Sequence, residues 1–221
     1  MRKRLVFFAV CAAFVSACSS GLYEKDVTAS MDAPYKADAV VTVRQAPDGT
    51  VYFSSGKLGL LYPSTPFEFE GECRALASVT VYAEEIPLYG HRVDVHWLEN
   101  LDRGAFLQYP SEGAGDDGID VMAHSWITSV EDGYLTVNYK AWWGADAARH
   151  DITLVQGADP YELTLYHDAH GESRDEYSEG IIYFDINSLP PTEDGPHRLK
   201  LNWTTTDGKA ASAEFEFETR K

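Results

Sequence analysis

The chain has 221 residues, with 35 acidic side chains against 18 basic, 44% apolar and 13% aromatic content, and 3 cysteines. That is enough apolar material for one large or two small packed cores, and it excludes a disordered chain. No apolar run reaches the ~18 residues that a membrane-spanning helix needs. A formal net charge of −17 without clustered Lys and Arg excludes nucleic acid as a partner.

Residues 1–17 read as a bacterial export signal, with Arg2, Lys3 and Arg4 ahead of a short apolar stretch from Leu5 to Val15. The signal ends in Val15-Ser16-Ala17-Cys18, which resembles the lipobox of bacterial lipoproteins. By that resemblance Cys18 is the lipidation site, carrying a diacylglyceryl group and becoming the first residue after cleavage. Each buried methylene of such an anchor contributes ~0.8 kcal/mol, and stable attachment takes more than one chain. Cleavage removes three positive charges and no negative one, so the formal net charge moves from −17 to −20. The expected partner is therefore a membrane, reached through the lipid alone. The expected location is the cell envelope, at the outer membrane, with periplasmic and outward display both open. Cys11 leaves with the signal and Cys18 is acylated, so Cys73 has no intramolecular partner and is expected to be a small buried apolar residue.

Residues 18–38 mix Ser, Gly, Lys, Asp and Pro without a period and read as a flexible tether. From Ala39 onward the period is two. Strands are expected at Ala39 to Arg44 and Thr50 to Phe53, joined by Ala46-Pro47-Asp48-Gly49, and then at Lys57 to Tyr62. Arg74 to Ala83 places Ala77, Val79 and Val81 on one face, and His91 to Leu98 places Val93, Val95 and Trp97 opposite Arg92, Asp94 and His96. Five short strands suit a small barrel, and residues 39–112 are assigned to it. Leu101 to Gly118 interrupts the pattern, and Asp116, Asp117 and Asp120 read as part of a solvated acidic linker, since their spacing is not that of a calcium loop.

Residues 113–221 return to period two. Strands are expected at Tyr134 to Ala141, His150 to Val155, Tyr161 to His167, Gly180 to Ile186, Arg198 to Thr204 and Ala213 to Thr219. Glu214, Glu216 and Glu218 suit the last strand to a sheet edge. The fold class is all-β, a small OB-like barrel followed by an antiparallel β-sandwich.

Several stretches carry a family resemblance: Gly133 to Tyr139, His150 to Val155, Leu163 to His167, Phe184-Asp185-Ile186 with Leu189, the closing strand, and Gly59-Leu60-Leu61-Tyr62-Pro63. Together with the lipobox they resemble the NigD-like lipoproteins of the Bacteroidetes. The resemblance implies an OB-like amino-terminal domain, a carboxy-terminal sandwich, and an immunity or export-accessory role, the family being named for a gene in a bacteriocin-associated operon. It implies no catalytic motif.

The chain holds no G-x-S-x-G, H-E-x-x-H, G-x-x-x-x-G-K-[ST] or G-x-G-x-x-G. No catalytic residue, enzyme activity or cofactor is expected, with a glycan-active hydrolase as the third reading after a binding module and an accessory protein. His167 and His170, with Asp168 or Glu172, are weak metal candidates on a loop, where a solvated loop is the better reading. The candidate binding residues are Trp142 and Trp143, at a turn before Gly144, with Trp126, Tyr139 and Tyr161. Aromatic faces bind a sugar or a protein without positive charge, which suits a glycan or protein ligand for so acidic a body.

Overall fold

The computed structural model describes residues 34–86, 90–108, 114–144 and 150–220. The export signal, Cys18 and residues 18–33 of the expected tether lie outside the described residues. Among the described residues every regular element is a strand.

The first five strands are β1 (Tyr35–Gln45), β2 (Val51–Ser55), β3 (Gly59–Pro63), β4 (Cys73–Ile86) and β5 (Gly90–Asn100). They close into a barrel in the order β1-β2-β3-β5-β4, so every strand has two neighbours and no edge is left unpaired. Val41, Phe53, Leu61, Ala77, Val79, Val81 and Val93 are fully buried and form its core. Two expectations are corrected here. Residues 35–38, assigned to the tether, belong to β1, where Tyr35 to Asp38 pair with Val81 to Ser78 of β4. Trp97, expected inside with Val93, is 47% exposed. A register shift at Ser78 and Val79 of β4 sets Val95 opposite Val79 but Trp97 opposite Ser78. One irregularity in the ladder reverses the faces beyond it.

The sandwich follows with β6 (Asp102–Arg103), β7 (Ala105–Leu107), β8 (Asp120–Val121), β9 (Ser129–Glu131), β10 (Tyr134–Trp143), β11 (Asp151–Gln156), β12 (Glu162–Asp168), β13 (Glu176–Asp185), β14 (His197–Thr204) and β15 (Ala210–Phe217). One sheet runs β6-β13-β10-β8, with β9 also on β10, and the other runs β15-β14-β12-β11-β7. Most pairs are antiparallel, but β6–β13, β7–β11 and β12–β14 are parallel. Thus β6 and β7, counted with the first half in the sequence reading, extend the sheets of the second. Leu135, Val137, Leu154, Leu163, Phe184, Leu199 and Leu201 fill the space between the sheets. The last strand, β15, is an edge, with Glu214 and Glu216 outward and Phe217 inward. Asp132 and Gly133, both at positive φ (56° and 77°), make the tight β9–β10 turn that an Asp-Gly pair suits.

Barrel and sandwich are joined by charged groups. Arg74 of β4 is fully buried and donates to Thr42 Oγ1 (2.8 Å), Glu131 Oε1 (2.6 Å) and Thr136 Oγ1 (3.3 Å). Beside it Glu72 accepts from Arg220 and from the Tyr134 hydroxyl. The hydrogen bonds from Arg220, more than those from Tyr134, hold the Glu72 carboxyl below its ordinary range despite partial burial. Cys73, expected to be buried, is half-buried, its thiol 3.3 Å from Asn100 Oδ1. Partial burial, and then the charges of Glu70 and Glu72, push it up, which makes it a poor nucleophile.

Candidate functional site

The end of the sandwich where β10, β11 and β12 finish or begin carries a group of chemically capable side chains, His150, His167 and Glu172. β12 alternates Leu163, Leu165 and His167 inward, so His167 continues the core face to the end of the strand and is 2% exposed. Ala169 to Glu172 then make a tight turn, closed by the Glu172 amide donating to the Ala169 carbonyl (3.0 Å), with His170 and Gly171 at positive φ (54° and 75°). The turn reverses the chain and brings Glu172 back over the strand end.

There the carboxylate meets His150, which is 8% exposed and lies just before β11. His150 Nε2 is 3.1 Å from Glu172 Oε2, and His150 Nδ1 is 2.8 Å from His167 Nε2. His167 Nδ1 in turn lies 3.1 Å from the Gly118 carbonyl. The same Glu172 Oε2 accepts the Gly144 amide at 2.9 Å. Trp143 stacks flat on His150, with ring centroids 4.0 Å apart and planes 5° from parallel. Burial holds His167 below the ordinary imidazole range, its hydrogen bond to Gly118 opposing and the nearby His150 assisting.

The segment read as an acidic linker is a strap across this end. Its Asp117 amide donates to the His167 carbonyl (2.9 Å), and Asp117 Oδ2 accepts the Ala169 amide (2.8 Å). Asp120 accepts the Tyr177 hydroxyl (2.6 Å) and also bonds Thr206. Burial raises the Asp120 carboxyl, but these hydrogen bonds outweigh it and leave it below the ordinary range. Close approach is the physical reason for the correction: a Cβ on Gly115, at φ 80°, would lie 2.5 Å from the His167 carbonyl oxygen. Only glycine lets this backbone touch β12.

The structure divides the five aromatic residues singled out from the sequence. Trp142 lies on the outward face of β10, half-buried, its ring 5.1 Å from that of Tyr177 on β13. Tyr177 is 41% exposed. Trp143 points the other way, against the sandwich core. Tyr139 is buried in that core, where burial pushes its hydroxyl up to about 12. Trp126, 49% exposed, sits in a turn whose Ser125 accepts from Asn138 of β10, about 13 Å along the strand from Trp142. Tyr161 belongs to the opposite end of β12, stacked on His197 and donating to the Pro190 carbonyl. Trp126 is therefore the exposed member of the five, while half-buried Trp142, beside Tyr177, lines a shallow cleft of about 20 Å³ with Asp117, Gly118, His167, Ala169, Glu172, Arg174 and Thr206.

The two candidate metal ligands also separate. His170 is exposed and pairs with Asp151 (3.0 Å) and Asp168, while His167 faces inward. Among the described residues no three His, Cys, Asp or Glu side chains are arranged to hold a metal ion. Sequence reasoning missed Glu172 as the partner of His150, and Tyr177 as the neighbour of Trp142. The Leu163-x-Leu165-x-His167 alternation was the available signal that His167 points inward.

A second, larger cavity of about 240 Å³ lies where the β9–β10 turn faces β15, lined by Glu131, Asp132, Glu216 and Glu218 with Val130, Gly133 and Pro196.

The fold and these sites define an all-β protein with an OB-like barrel and a sandwich. Residues 107–217 match the NigD-like C-terminal beta sandwich domain, and the chain belongs to the NigD-like family. Among curated proteins nothing matches the chain. Among solved structures the chain is similar to a presumed toxin-related protein from Parabacteroides distasonis (23% identity, TM-score 0.67, covering 83% of this chain and 94% of that one). It is also similar to a presumed lipoprotein from Bacteroides fragilis (15%, 0.59, covering 85% and 100%). A NigD-like immunity protein from Bacteroides caccae is a third neighbour (15%, 0.55, covering 82% and 94%). At these identities the likeness is one of fold.

Proposed function

We propose that the protein is a non-catalytic, lipid-anchored envelope module that binds neutral glycan on the outward face of the β6-β13-β10-β8 sheet. The observation that carries this reading is the Trp142–Tyr177 ring pair, with Tyr177 exposed and Trp142 half-buried, beside a polar cleft. Stacking on ring faces supplies affinity without positive charge, and a formal net charge of −17 disfavours anionic ligands. The cleft is too shallow to enclose a sugar, so the glycan lies across the rings. The lipobox at Cys18 and the presumed lipoprotein from Bacteroides fragilis support anchoring.

The test is native electrophoresis through gels containing mannan, laminarin, xyloglucan or dextran. Retardation in at least one is expected, and Trp142→Ala should abolish it at a cost in stability of about 1 kcal/mol, as for a half-buried site outside the core. Trp143→Ala, which removes a ring from the core, should cost about 2 kcal/mol or more. No retardation in any gel, or an equally retarded Trp142→Ala variant, would overturn the reading.

The acidic cavity favours a second reading, an immunity-type protein that captures a cationic polypeptide. It would take a basic side chain among Glu131, Asp132, Glu216 and Glu218, and the neighbour from Bacteroides caccae is described as an immunity protein. A Glu216→Gln/Glu218→Gln variant should then bind a lysine-rich peptide about threefold more weakly at low salt, with the difference fading as salt screens it.

A further inference from the structure

β15 ends its sheet, with β14 on one side and, among the described residues, no strand paired on the other. The β14–β15 hairpin decides which of its backbone groups are left over. The Thr205 amide donates to the Lys209 carbonyl (2.8 Å), and Gly208 stands at positive φ (80°), so Thr205 and Lys209 are a hydrogen-bonded pair at the turn. Bonded pairs of an antiparallel ladder recur at every second residue. By the register they are Trp203 with Ala211, Leu201 with Ala213, Leu199 with Phe215 and His197 with Phe217. Lys200, between two of them, accordingly turns its amide the other way, to the Tyr161 carbonyl (2.9 Å). Ala210, Ser212, Glu214 and Glu216 are therefore the residues of β15 whose N–H and C=O groups point out from the sheet edge.

The side chains alternate in step. Ala211, Ala213 and Phe215 pack against the sandwich core yet remain half-buried, since no strand covers their flank. Ser212, Glu214 and Glu216 stand exposed on the other face. On that face Arg198 of β14 reaches Glu214 at 3.4 Å, and Lys200 is taken by Glu162 (2.8 Å). Glu216 has no cation within ion-pair distance among the described residues, and it lines the acidic cavity with the β9–β10 turn. A second copy of β15 would set glutamates against glutamates across the new ladder, which is destabilising. The edge thus rejects its own kind and any other acidic strand.

We propose that β15 is a docking edge for an extended polypeptide segment that alternates basic and apolar residues, added antiparallel as a further strand. Main-chain groups of the segment bond those of Ser212, Glu214 and Glu216. Its basic side chains stand across from Glu214 and Glu216, and its apolar ones cover the open flank of Ala213 and Phe215. Antiparallel pairing sets bonded residues directly opposite each other on one face, so the basic residues are also those whose amides turn to β15. The inference deepens the second reading under the proposed function, capture of a cationic polypeptide, and rests on it for the class of partner.

The experiment is amide hydrogen exchange by NMR on the full chain, alone and with the synthetic peptide Lys-Val-Lys-Val-Lys-Val-Lys at low salt. Alone, the Ser212, Glu214 and Glu216 amides should exchange fast and those of Ala213 and Phe215 slowly. At saturation with the peptide the first three should slow by about tenfold or more. A peptide methylated on its lysine amide nitrogens keeps its charge but loses the bonding edge, and should bind about tenfold more weakly. The block peptide Lys-Lys-Lys-Lys-Val-Val-Val, equal in composition, should lose as much. Ser212→Pro removes one outward amide while leaving the β14 ladder and every acidic charge in place, and an edge strand tolerates proline at such a position. It should weaken the alternating peptide about tenfold; if it does not fold, the methylated peptide on the wild type decides. Ser212, Glu214 and Glu216 amides already protected in the free protein overturn the proposal. Equal binding of all three peptides without slowed exchange also overturns it, while leaving capture by charge standing; no binding of any peptide overturns both.

Discussion

Replacing Arg74 by Met tests whether barrel and sandwich are held by a buried ion pair. The guanidinium is wholly removed from solvent, while its partner Glu131 is 19% exposed. Methionine keeps the length and the apolar stem but leaves Glu131 without its cation and the Thr42 and Thr136 hydroxyls without a donor. Breaking a buried pair from one side costs about 3–5 kcal/mol, because the surviving charge is desolvated and unpaired. Glu131 keeps the Gly56 amide at 2.7 Å and some contact with water, which places the expected loss near the lower end, about 3 kcal/mol. For a body of this size that is a fall in Tm of about 6–12 °C. Urea denaturation followed by far-UV circular dichroism and tryptophan fluorescence measures it. The Arg74→Met/Glu131→Gln double variant removes the orphaned charge, so its loss should be smaller than the sum of the two single losses by at least about 1 kcal/mol. A single variant within about 1 kcal/mol of wild type, or strictly additive losses, would refute the idea that this pair couples the two parts.

Glu72 is held below its ordinary range, first by Arg220. The folded form therefore binds this proton more weakly than the unfolded chain, so the pair stabilises above the unfolded value of about 4.3 and its contribution disappears as pH falls through the folded value. Arg220→Ala should cost about 1 kcal/mol or less at neutral pH, given the partly exposed pair, and should flatten the acid limb of a Tm-against-pH curve. Gly104→Ala puts a Cβ 2.2 Å from the ring of Phe184, a wholly buried core residue, and should destabilise by about 1–3 kcal/mol in the same urea experiment. Asp120→Ala loses the acceptor for the Tyr177 hydroxyl and for the Thr206 hydroxyl and amide and should cost about 1–2 kcal/mol, while hydrogen exchange quickens at the Thr206 amide.

Alternation of apolar and polar residues located the eleven longer strands, because a strand with one face in a core records its period directly in the chain. The same logic marked the Ala46-Pro47-Asp48-Gly49 turn, the acidic edge strand and the all-β class, and the motif stretches pointed to the NigD-like family. Strands as short as β6 to β9, two or three residues each, carry no readable period and exist because a longer neighbour offers them a ladder. Trp97 was misplaced because its face depends on a register shift in β4, which no local pattern shows. Trp142 and Trp143 were both read as candidate binding residues, and only the paired β10 shows that Trp143 turns to the core; that Tyr161 lies at the far end of β12, and that Tyr177 takes its place beside Trp142, follows from strand pairing. His150, His167 and Glu172 meet only because β11 pairs with β12 and a tight turn reverses the chain after it. Periodicity and turn chemistry act between near neighbours and are written in the sequence, whereas the convergence of side chains distant in the chain depends on pairing, register and crossover, which only the assembled sheets decide.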